Sequence, residues 1–140
     1  WQHAATKLGP TGPAQVAGEI ALLRAVWPNG SVVWPKSLEE SLWLPDRADC
    51  QVLAAAISGS ADVIVTLNKK DFPRHILAEE GLDRRDPDAL LYTAFTTNPS
   101  AVETVAAHVL SATNRFCGQE WKIRPLFKKA KLPKLARALG

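Results

Sequence analysis

The chain has no methionine. With Trp1 in first place, that absence predicts that processing removed a beginning or that sequence lies upstream. Cysteine is nearly as scarce. Cys50 and Cys117 are too few and too far apart for a zinc framework, and in a reducing cytosol they are free thiols. Cys50 follows Asp49, but no histidine lies near it in sequence to activate a thiol nucleophile. Long apolar runs are missing too. The longest, Val52 to Ile57 and Val63 to Val65, fall far short of the roughly 20 residues that cross a bilayer. No signal peptide is visible, so a cytoplasmic location is the expectation. His3, His75 and His108 have no ligand spacing and are expected on the surface. Acidic residues are absent from Trp121 to Gly140, a stretch holding Lys122, Arg124, Lys128, Lys129, Lys131, Lys134 and Arg137. Such an end suits a polyanion or an acidic partner, or is the solvated face of a terminal helix.

What remains has the profile of a globular protein: 140 residues, 46% apolar and 22% charged, with a net charge of +3. Pro13 opens a helix through Val16, Ile20, Leu23 and Val26 or Trp27, and Pro28-Asn-Gly ends it. Ser31 to Trp34 is β-branched and aromatic, which predicts a strand. Ser37 with Glu40 fits a capping box. Asp49 fits the N-cap of a helix from Cys50 to Ser58, stopped by Gly59. Val63 to Thr66 is apolar on both faces, as a central parallel strand would be. A short helix from Pro73 or Arg74 ends at Gly81, and Leu82 to Arg84 forms a last strand. Asp86-Pro87 and Asn98-Pro99 each open a helix, the second amphipathic through Val102, Val105, Ala106, Val109 and Leu110. Beyond Gly118 the chain is helical again, with Leu132, Leu135, Ala136 and Leu139 in one stripe. The expected organisation is an α/β part over residues 1–86 and a helical part over 87–140. The five tryptophans are expected in packing roles.

In parallel sheets, sites form at the carboxyl ends of strands. The helix before Val63 runs antiparallel to that strand, so Asp49 at its start lies at the same edge as Thr66, Asn68 and Asp71. Mg²⁺ and Mn²⁺ prefer oxygen ligands and take one or two carboxylates directly. Asp49 and Asp71 supply such oxygens, and Thr66 and Asn68 could orient a ligand water or hold a carboxylate in place. The plain alternatives are equally concrete. Asp49 could be an N-cap, Asp71 could cap the helix after Pro73, and Asp46 after Pro45 is ordinary turn chemistry.

The segment Leu44-Pro-Asp-Arg-Ala-Asp49-Cys-Gln-Val-Leu-Ala-Ala-Ala-Ile57, followed by Ala61-Asp-Val-Ile-Val-Thr66-Leu-Asn68-Lys-Lys-Asp71-Phe72, resembles the PIN-domain family, and within it the VapC-type ribonuclease toxins of bacterial toxin–antitoxin pairs. The helix from Pro13 to Trp27 and the helical end, with Leu132 to Leu139, are similar to flanking parts of such proteins. The resemblance implies a parallel sheet sandwiched by helices, and a hydrolase that cleaves RNA with Mg²⁺ or Mn²⁺. It implies Asp49 and Asp71 as metal ligands and catalytic residues, with Thr66, Asn68 and Asp46 supporting. Either Asn68 or Asp71 fills the corner that many relatives fill with aspartate, and Asp71 is the preferred carboxylate. Lys69, Lys70, Lys128, Lys129 and Lys131 are the expected RNA contacts. The implied partners are RNA, an antitoxin protein, and a separate N-terminal fragment or further copies of the chain.

The departure from the family lies at the start. Its first strand with an Asp-Thr-Asn motif, and the acidic residue on the following helix, have no counterpart before Pro13, and Glu19, Glu39 and Glu40 do not replace them. Roughly fifty or more residues of a usual domain are therefore expected to be absent, and residues 1–140 alone are expected to cleave little or no RNA. The alternative is a non-catalytic partner-binding or RNA-binding remnant.

Overall fold

The computed structural model describes residues 12–140. His3, Trp1 and the helix tail expected over Trp1 to Leu8 lie outside the described residues. The architecture is mixed α/β. Helices α1 (Gly12–Val26), α2 (Lys36–Ser41) and α3 (Cys50–Ser58) precede strand β1 (Val63–Val65). Helix α4 (Arg74–Glu79) leads to strand β2 (Asp83–Arg85). Four more helices follow: α5 (Pro87–Thr97), α6 (Pro99–Cys117), α7 (Ile123–Lys129) and α8 (Pro133–Ala138). No helix among the described residues is long and apolar enough to cross a membrane.

The strands pair in parallel, with Val63 opposite Asp83, Ile64 opposite Arg84 and Val65 opposite Arg85. Parallel pairing needs a crossover between the strands, and the Thr66–Leu82 segment with α4 provides it. The ladder continues one residue past β1, where the Thr66 N–H donates to Arg85 O. Ile64 is buried, but Val65 is 47% exposed, so β1 is not covered on both faces as its sequence suggests.

Buried residues form two clusters. The first gathers Leu42, Leu44, Cys50, Leu53, Ala54, Ile64, Phe72, Leu77 and Leu82 beneath the sheet. The second joins Ala106, Phe127, Leu135 and Ala136, with Leu132 and Leu139 packed against it, so the C-terminal stripe read from the sequence is a packing face. Asp88 ties this second cluster together. It is 5% exposed, and its carboxylate accepts the N–H groups of Lys134 (2.8 Å) and Leu135 (3.0 Å) at the start of α8. Those donors have no partner inside their own helix, so α5 caps α8 from a distance in sequence.

Several local expectations change. Ser31 to Trp34 is extended but pairs with no strand among the described residues. Instead Val32 and Trp34 dock, while Val33 is exposed. The Trp34 indole donates to Glu39, and Val32 lies where a Cβ on Gly59 would come within 3.1 Å. Gly59 is therefore explained by close approach, since its backbone at φ −86° is open to any residue. Ser37 caps nothing, because α2 begins at Lys36 after Pro35. Strand β2 runs one residue later than Leu82 to Arg84. Leu23, Val26 and Trp27 of the first apolar stripe remain exposed, as do Trp43, Val105 and Val109, while Val16 of α1 is buried. The Asp86 and Asn98 side chains do cap α5 and α6, accepting from Asp88 N and Ala101 N.

Candidate functional site

The 3₁₀ turn Arg47–Asp49 runs directly into α3, and its placement follows from local chemistry. Asp46 Oδ1 accepts the Ala48 N–H at 2.9 Å, the turn role expected of a residue after proline. Below the turn, Cys50 is buried and its thiol lies 3.7 Å from Leu42 O, so the cysteine is a packing residue and not a poised nucleophile. Burying Cys50, Leu53 and Ala54 fixes α3 against the sheet. The start of α3 thus stands at the edge where β1 ends.

The loop after β1 has its own internal order. Thr66 Oγ1 accepts the Asn68 N–H at 3.0 Å, and Asn68 Oδ1 accepts the Asp71 N–H at 3.4 Å. From the sheet side, Arg84 Nη1 donates to Lys69 O (2.6 Å) and Phe72 O (2.7 Å). Arg74 in turn donates to Arg84 O and pairs with Asp83 at 3.1 Å. Buried Phe72 anchors the loop's far end.

These two pieces bring three carboxylates together. One oxygen each from Asp46, Asp49 and Asp71 lies within 4.8 Å of the others. The Asn68 amide sits between two of them, donating to Asp71 Oδ2 at 2.8 Å and to Asp49 Oδ2 at 3.4 Å. Asp49 occupies the N-cap position of α3, yet its side chain makes no capping hydrogen bond. Asp71 does not cap α4 either, whose N-cap is Pro73. The plain cap explanations therefore do not account for these two carboxylates. Partial burial, then the charges of Asp46 and Asp71, push the Asp49 carboxyl above its usual range.

An all-oxygen donor set with mutually repelling charges could hold a divalent cation. The structure places Asp46 in the cluster itself. Thr66 is the acceptor that shapes the loop, through the Asn68 N–H. Glu39 and Glu40 are occupied elsewhere, by the Trp34 indole and by Lys36 at 3.5 Å. His75 and His108 are exposed.

Lys69 and Lys70 are exposed beside the cluster, and Lys128, Lys129 and Lys131 are exposed on and after α7. The Lys129 ammonium lies 4.9 Å above the Trp121 ring, which gives that tryptophan a cation–π role. The sequence reading missed Arg84, whose guanidinium holds the acidic loop. The signal available was two adjacent arginines at the end of a predicted strand. No family model, curated protein or solved structure matches the chain.

Proposed function

We propose that the acidic cluster is a divalent-cation site, and that the intact protein is a metal-dependent endoribonuclease of the PIN-domain type, a toxin with an antitoxin partner. The observation that carries this reading is the convergence of Asp46, Asp49 and Asp71 from two chain segments at the carboxyl edge of β1, with neither Asp49 nor Asp71 used as a cap. Asp49 and Asp71 would hold Mg²⁺ or Mn²⁺, with Asp46 as a third oxygen source. A cation there supplies Lewis acidity toward a phosphodiester oxygen and acidifies water. Asn68 orients the two carboxylates through its amide, Thr66 fixes Asn68, and Arg84 fixes the loop that carries them. Lys69 and Lys70 stand beside the cluster to draw a phosphate strand toward it.

Thermal denaturation with increasing Mn²⁺ tests the site. Binding to the folded state alone should stabilise by about 2.7 kcal/mol at 100 times the Kd, and Asp49→Asn or Asp71→Asn should abolish the response. A wild-type curve indifferent to Mn²⁺ would reject the site. Labelled single-stranded RNA with Mn²⁺ tests the reaction. Residues 1–140 should cut little or not at all, since the acidic residues that the resemblance implies ahead of Pro13 have no counterpart in residues 1–12. Cutting that survives Asp49→Asn unchanged would reject the assignment.

A second reading, partner binding, is favoured by α1. Leu23 and Trp27 are exposed and line an apolar groove of about 560 Å³ with Val16 and Ile20. Size measurement on the purified chain separates the two. A lone monomer of 15.2 kDa with no affinity for a partner would argue against it.

A further inference from the structure

A second, polar cleft of about 540 Å³ opens between the acidic loop, β2 and the start of α5. Lys69, Arg74, Arg84 and Arg85 line it, against Asp83 and Asp86. Both carboxylates are already committed. Asp83 pairs with Arg74, and Asp86 accepts the Asp88 N–H as the cap of α5. The Lys69 and Arg85 side chains make no ion pair or hydrogen bond among the described residues. Arg84 spends Nη1 on Lys69 O and Phe72 O, leaving Nε and Nη2 as donors. The cleft therefore has a positive excess and unused, forked donors, the chemistry that recognises a phosphate.

We propose that this cleft is a phosphate subsite that holds the backbone of a single-stranded RNA next to the acidic cluster. The inference rests on the nuclease reading for its choice of RNA. Its position supports that choice. Lys69 lines the cleft and directly follows Asn68, which bridges Asp49 and Asp71. Arg84 grips the loop on both sides of Asp71. A strand whose phosphate lies over Arg84 and Arg85 would pass on to the carboxylates. Electrostatics also favours separate places, since a bare phosphate is repelled by the acidic cluster and attracted by the cleft.

The test is binding of a 5′-labelled single-stranded oligoribonucleotide by fluorescence anisotropy in EDTA, where no cation can act. Lys69→Gln and Arg85→Gln should each raise Kd about five-fold and reduce the salt slope by about 0.7, the value for one phosphate contact on a single strand. Lys36→Gln, at a lysine paired with Glu40 on α2, should change neither. Unchanged isotherms for both cleft variants would overturn the subsite, and the Mn²⁺ response would still decide the nuclease reading. Loss of binding in the cleft variants with no Mn²⁺ response would keep the subsite and discard the nuclease. Weakening on Lys128→Gln alone would move RNA to the tail and overturn the proposal. Inorganic phosphate should displace RNA only weakly. Displacement at concentrations matching the RNA Kd would overturn the assignment to a nucleic-acid strand.

Discussion

Asp49 shows how a single side chain can be costly to the fold. Its carboxyl is held above the ordinary 3.8 by burial and by Asp46 and Asp71. A raised carboxyl means that the unfolded chain ionises first, so this group's contribution to stability declines as pH rises from 3.8 through the folded value. Asp49→Asn should therefore stabilise the cation-free protein at pH 7. That gain should disappear when urea denaturation is compared below the unfolded value, where both side chains are neutral. A destabilised variant at pH 7 would show that the carboxylate is held by contacts stronger than the repulsion. Asp88 is the opposite case. It is buried, and both its oxygens accept backbone donors. Asp88→Ala would strand those donors and should cost about 3 kcal/mol in urea denaturation. Asp88→Asn, which keeps one acceptor oxygen, should cost less.

Helix boundaries set by dipeptides were legible, because the chemistry is local. Asp86-Pro87 and Asn98-Pro99 carry both the cap oxygen and the fixed proline φ, and α5 and α6 begin there. Gly81 was legible for the same reason. It follows α4 with φ +72°, which L side chains adopt only with strain. Gly81→Ala meets no neighbour within 4 Å, so its expected cost of about 1 kcal/mol is purely conformational. A chemical denaturation midpoint would register it. The Ser31 to Trp34 segment misled because β-propensity describes a surface that fits a sheet, not the presence of a partner strand. Its Trp34 found Glu39 and its Val32 the space above Gly59, while Val33 stayed exposed.

At the scale of the whole molecule, the two buried clusters share no residue. Native-state hydrogen exchange should accordingly resolve two opening units, one reported by Leu53 and Leu77 and one by Leu135 and Ala136. Leu135→Ala should lower the second by about 2–5 kcal/mol and leave the first nearly unchanged. Equal loss in both would show one cooperative unit. The acidic site was readable from the sequence to the extent that a helix start and a strand end must share one edge. Its finer order was not, because Asn68 reaches Asp49 across 19 positions and Arg84 reaches Lys69 across 15. The Arg84 contact has a consequence for how the sheet finds its alignment. Arg84 stands opposite Ile64 on a strand only three residues long, which Arg74 also holds through Asp83 and Arg84 O. A slip of one residue would turn Arg84 to the other face and release both carbonyls that it holds. Loop anchoring and strand alignment are thus coupled through one side chain, and a mispaired sheet would leave the Lys69 to Phe72 loop without that tether.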